Sequence, residues 1–85
     1  MRRIEHVDSP KTLGEVLRQM RKARHLTQAR AAALCGVSRR LWQETETGKR
    51  TQLGFGTALR MLQVLGLDLR VIPRVTSDER EPQRG

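Results

Sequence analysis

The chain has 85 residues and a formal net charge of +8, from 17 Lys and Arg against 9 Asp and Glu. That length allows one domain with a marginal core, and the positive surplus favours a polyanionic partner, either nucleic acid or an acidic membrane surface. Trp42 and Phe55 are the only aromatic residues and Cys35 the only cysteine, which leaves almost nothing for base stacking and so favours duplex DNA, and leaves no intrachain disulfide and no cysteine-built zinc site.

No apolar run approaches the ~20 residues needed to cross a bilayer. Met1-Arg2-Arg3 leads into charged residues and not into the apolar stretch of a leader, so the expected location is the cytoplasm. Residues 1–8 read as a flexible polar segment, with Arg3 to Val7 as an alternative small strand. Ser9-Pro10 is a helix start, serine capping and proline at the first helical position. Leu13, Val16, Leu17, Met20 and Ala23 then recur at helical spacing. Arg18, Arg21, Lys22 and Arg24 read as the solvated basic face of this first helix.

Thr27 caps a second helix over about 28–35, rich in alanine, and Gly36 ends it in a left-handed turn. Ser38 caps a third helix over about 39–47, which stops at Gly48. A loop through Thr51 leads to a fourth helix over about 55–65, with Phe55, Ala58, Leu59, Leu62 and Leu65 as its apolar stripe and Gly66 as its end. Leu67, Leu69 and Val71 alternate with Asp68 and Arg70, which predicts a strand closed by Pro73. The expected domain is 9–73, and 74–85 reads as a charged, disordered tail. A single strand needs a partner: the same strand of a second copy, or residues 3–7.

Helices two and three are separated only by Gly36-Val37-Ser38, the spacing of a helix-turn-helix. Such a turn lets the third helix enter a DNA major groove while the second crosses the backbone. Arg39 and Arg40 lie in the first turn of the third helix, and a guanidinium can donate twice to guanine O6 and N7. Gln43 matches adenine N6 and N7. Glu44 can accept from cytosine N4 or orient Arg40 four residues earlier. Trp42 reads as core, and Cys35 as a small buried hydrophobe. His6, Asp8 and Ser9 are near one another in sequence, but nothing arranges them as a triad. No metal-ligand spacing, phosphate loop or paired-carboxylate cleft is present, so neither an enzyme nor a cofactor is expected.

The run Leu26-Thr27-Gln28, with Ala32, Gly36-Val37-Ser38 and Glu46-Thr47-Gly48-Lys49, resembles the Cro/C1-type, or XRE-like, helix-turn-helix domain. The continuation Leu62-Gln63-Val64-Leu65-Gly66-Leu67 is similar, more narrowly, to HipB-type antitoxin regulators. Arg30, Ala31 and Thr45 depart from the family pattern and thin the core around helix two, leaving space that Trp42 is expected to fill. The resemblance implies an all-α, lambda-repressor-like bundle of four or five helices with a short C-terminal strand at a dimer interface formed by Leu67, Leu69, Val71 and Ile72. It also implies a homodimeric repressor on a palindromic duplex operator, with Gln28 touching a phosphate or buttressing the reading side chains. Ser38, Arg39, Arg40, Gln43 and Glu44 face the groove in this scheme, Lys49 and Arg50 reach the backbone, and Glu46 is a structural residue of the loop. A HipA-like kinase toxin is the partner that the narrower resemblance implies. A stand-alone regulator and a protein-interaction module without DNA binding are the alternatives.

Overall fold

The computed structural model describes residues 5–74. Its elements in chain order are α1 (Pro10–Ala23), α2 (Gln28–Cys35), α3 (Arg39–Glu46) and α4 (Phe55–Val64). α1 packs on α3, and α2 packs on both α3 and α4. The core is built from Leu17, Ala31, Ala32, Cys35, Trp42, Met61, Leu62 and Leu65, with Leu13, Leu26, Val37, Leu41 and Leu67 packed around it.

Side-chain caps start three of these helices. The Ser9 hydroxyl accepts from the Thr12 amide at 3.1 Å, and the Thr12 hydroxyl accepts in return from the Ser9 amide at 3.1 Å. Thr27 caps through the Arg30 amide and Ser38 through the Leu41 amide, each at 3.0 Å. Each cap satisfies an amide that the first turn leaves without a helical partner. Asp8 belongs to the first cap, because its carboxylate accepts from the Thr12 hydroxyl. Asp8 and Ser9 therefore have a structural use.

All four helices end in the same way. The residue after the last turn is left-handed: His25 at φ 59°, Gly36 at 79°, Gly48 at 77° and Gly66 at 75°. The amide one position further on then reaches back to a carbonyl five residues earlier: Leu26 to Arg21, Val37 to Ala32, Lys49 to Glu44 and Leu67 to Leu62. This is the Schellman arrangement, which gives partners to carbonyls at the helix end. Glycine signals three of these ends in the sequence, whereas His25 carries no such signal. Arginines sit at two of the C-termini: Arg60 Nε donates to the Cys35 carbonyl at 3.4 Å, and the Arg24 guanidinium lies against Gly66.

The space beside the small side chains of α2 is filled as expected, since Trp42, Ala31 and Ala32 are all buried. Thr45 is buried too, and its hydroxyl donates to the Leu41 carbonyl at 2.8 Å, so the polar atom has a partner. Two expectations about burial in the helices need correction. Phe55 is 68% exposed, and Met61 takes the fully buried place on α4. Arg21 is buried at 8% exposure and does not belong to the solvated face of α1. Gly14, Leu17 and Arg21 follow one another down one stripe of α1, and that stripe meets the end of α3. Gly14 lies so close that an added Cβ would meet the main chain of Thr45 and Glu46.

Residues 67–74 form no strand, and neither do residues 5–8. A strand is defined by its ladder, and neither segment finds one among the described residues. Leu67 packs on the core, while Leu69, Val71 and Ile72 are exposed. Residues 3 and 4 of the alternative pairing, and the tail from 75 onward, lie outside the described residues. No described helix is long and apolar enough to cross a membrane.

Candidate nucleic-acid interface

The turn between α2 and α3 takes its shape from two local choices. Gly36 supplies the left-handed backbone that an ordinary side chain would resist. Two residues on, Ser38 starts the next helix, so α3 begins at once in a fixed direction. Val37, half-buried between them, packs on the core.

α3 has two distinct faces. Trp42, Thr45 and Glu46 are buried, with Leu41 beside them, whereas Arg39, Arg40 and Gln43 are exposed. The buried face is pinned by a polar node. Arg21 Nε donates to Glu46 Oε2 at 2.6 Å and Arg21 Nη2 to Oε1 at 3.1 Å, a bidentate pair. Trp42 Nε1 donates to Oε2 at 2.5 Å, and Gln28 Nε2 donates to Oε1 at 3.0 Å. The remaining reach of Arg21 goes to the Leu26 carbonyl, 2.7 Å from Nη1. One carboxylate thus ties α1, the α1–α2 turn, the start of α2 and the last turn of α3 together. Burial pushes the Glu46 carboxyl up. The hydrogen bonds from Arg21, Gln28 and Trp42, with the charge of Arg21, outweigh it and hold the pKa below the ordinary carboxylate value.

The other expected site residues fall into groups. Gln28 is half-buried and directs one amide proton to Glu46. Ser38 is exposed, but its hydroxyl accepts from the Leu41 amide as a cap. Arg40 Nε donates to Glu44 Oε2 at 3.1 Å, and Arg50 Nε lies 3.8 Å from Glu44 Oε1. The structure therefore gathers Arg40, Glu44 and Arg50 around one carboxylate. Arg39, Gln43 and Lys49 are exposed beside them. The sequence reading missed the node itself. The available signals were the four-residue spacing of Trp42 and Glu46 and the seven-residue spacing of Gly14 and Arg21 on a buried stripe.

Among the described residues no group of His, Cys, Asp and Glu is arranged to hold a metal ion. The outward array is suited instead to a polyanion with readable edges: free guanidinium and amide groups on a helix whose opposite face is fixed. No curated protein matches the chain. Residues 12–74 match the family described as the helix-turn-helix domain, a span that takes in all of α2, the turn, α3 and α4. The chain belongs to the helix-turn-helix domain family.

Proposed function

We propose that the protein is a transcriptional repressor that binds duplex DNA sequence-specifically, with α3 as the groove-entering helix and 9–73 as its functional unit. The observation that carries this reading is the set Arg39, Arg40 and Gln43, exposed on one face of a helix whose other face is locked by Glu46. Rigid placement matters because a bidentate contact to a base edge contributes only when donor and acceptor positions are preset. In this reading Arg39 and Arg40 take guanine, Gln43 takes adenine, and Ser38 sits at the groove edge. Lys49 and Arg50 reach phosphates from the following loop. Gln28, held by Glu46, buttresses the reading helix or offers its second amide proton to a phosphate.

The protein acts as a homodimer in this proposal, so its operator is palindromic with half-sites about 34–36 Å apart or a small multiple of that. Leu69, Val71 and Ile72 supply the exposed apolar part of the interface, and Leu67 anchors it to the core. Repression follows from occupancy of a promoter. The test is anisotropy binding to the DNA upstream of its own gene against a scrambled duplex at ~150 mM salt. A preference of about a thousandfold or more is expected of a specific reader. Arg39→Ala or Arg40→Ala should remove ~1–3 kcal/mol of it. Equal binding to both duplexes, unchanged by either substitution, would sink the proposal and favour a module that binds only protein.

The run Leu62-Gln63-Val64-Leu65-Gly66-Leu67, similar to HipB-type regulators, on a short basic chain supports a narrower reading, an antitoxin that neutralises a HipA-like kinase toxin and represses its own operon. Co-purification with the product of a neighbouring kinase-like gene is the expected result. A protein purified alone, with no such neighbour, reduces the reading to a stand-alone regulator.

A further inference from the structure

We infer that Glu44 sets the selectivity of the α3 face by holding Arg40 in a base-reading position and by competing with phosphate for both Arg40 and Arg50. The inference rests on the duplex-DNA reading and assigns Glu44 a role other than accepting from a base. The two arginines come from different elements, one from the first turn of α3 and one from the loop beyond it, yet both direct Nε toward the same carboxylate. The loop is tied to the same residue by its backbone. The amides of Lys49 and Arg50 donate to the Glu44 carbonyl at 2.9 and 3.3 Å. Arg50 is therefore placed over Glu44 even before its side chain engages. Arg39, equally exposed, has no ion-pair partner among the described residues, so the clamp is particular to Arg40 and Arg50.

A guanidinium carries five N–H groups in a planar fork. Pairing through Nε occupies one edge and leaves both terminal nitrogens free, which are enough for guanine O6 and N7. A clamped Arg40 can thus read guanine without releasing Glu44. To follow a phosphate, its long side chain must swing off the carboxylate and leave a negative charge facing the backbone of the duplex. Binding to random DNA is almost entirely phosphate neutralisation by Lys and Arg. A carboxylate among the cations weakens that component selectively. Two cations sharing one anion also present less net charge to a non-cognate duplex than two free arginines.

The test compares wild type, Glu44→Gln and Glu44→Asp on a duplex recovered by selection from a random pool with the wild-type protein, and on a scrambled duplex, over a salt series. Glu44→Gln is expected to tighten scrambled binding and to steepen its log K against log salt slope by about 0.9, one further phosphate contact. The ratio of selected to scrambled affinity should fall by about fivefold or more. Glu44→Asp keeps the charge and should return scrambled affinity to the wild-type value, a rescue that a merely structural residue would not predict. Melting curves identify a misfolded variant, and Glu44→Ser, which also removes the charge, carries the comparison should the amide fail to fold. An unchanged slope and ratio in Glu44→Gln, with wild type discriminating, overturns the inference alone. A wild type that selects no preferred duplex overturns the DNA reading and this inference with it.

Discussion

Glu46 has 1% of its side chain exposed and accepts from Arg21, Trp42 and Gln28 at once. A buried pair is easily damaged by halves, because losing one partner strands the other's charge in a poor solvent for it. Arg21→Met is therefore expected to cost about 3–5 kcal/mol, much of the stability of a domain this small. Adding Glu46→Gln should recover part of that loss by removing the stranded charge; a double variant no more stable than Arg21→Met would refute the pairing argument. The acid response follows from the lowered pKa of Glu46. A depressed folded-state pKa contributes stability that is fully present above the unfolded value, ~4.3. That contribution is lost as pH falls through the lower folded value. The stability gap between wild type and Glu46→Gln should be widest at neutral pH and should close below about pH 4, as urea titrations at several pH values can check. His25 is the opposite kind of site. It holds φ 59° at a helix end where the other three helices use glycine. His25→Gly should raise stability by about 1 kcal/mol, or ~4–8 °C in the melting temperature.

Elements meet at distances that the smallest residues set. An added Cβ at Gly14 would fall 2.8 Å from the Glu46 carbonyl carbon, with the Thr45 and Glu46 carbonyl oxygens also in its way. These are main-chain atoms of α3, so the strain cannot be relieved by a rotamer. Gly14→Ala should cost ~1–3 kcal/mol and weaken operator binding by displacing α3. Gly56→Ala, in the first turn of α4 with nothing within 4 Å of the new Cβ, should instead stabilise by about 0.5–1 kcal/mol. The pair is a direct comparison, and the same sign at both sites in thermal melts would refute the account of the α1–α3 contact. The contrast also shows what could be read in advance. Ser9, Thr27, Ser38, Gly36, Gly48 and Gly66 act within a few residues of themselves, so the starts of α1, α2 and α3 and the ends of α2, α3 and α4 were legible to within a residue, whereas the end of α1 at His25 was not. The exposed α3 set was legible for the same reason, since one period of a short helix decides it. Arg21 was not, because an arginine on a predominantly basic face looks solvated until a distant Glu46 meets it. Phe55 misled because apolar spacing names a stripe without saying that every residue in it is covered.

At the scale of the whole molecule, charge and apolar surface respond to salt in opposite directions. A net charge of +8 draws the protein to DNA and pushes two copies apart. Against that repulsion stand Val71 at 92% and Ile72 at 62% exposure, on a segment whose backbone forms no ladder among the described residues. A segment of alternating apolar residues without a ladder favours pairing with a second copy. Raising salt shortens the Debye length to ~8 Å at 0.15 M and toward 3 Å at 1 M. Self-association through the apolar segment should therefore strengthen with salt, while DNA binding weakens. Sedimentation equilibrium is expected to give a mass approaching twice 9.7 kDa, more completely as salt rises. Val71→Asp combined with Ile72→Asp should return the single-chain mass and cost operator affinity, while leaving binding to a lone half-site nearly intact. If association instead fell with salt in parallel with DNA binding, the contact between copies would be ionic, and the apolar segment after α4 would have to serve a different partner.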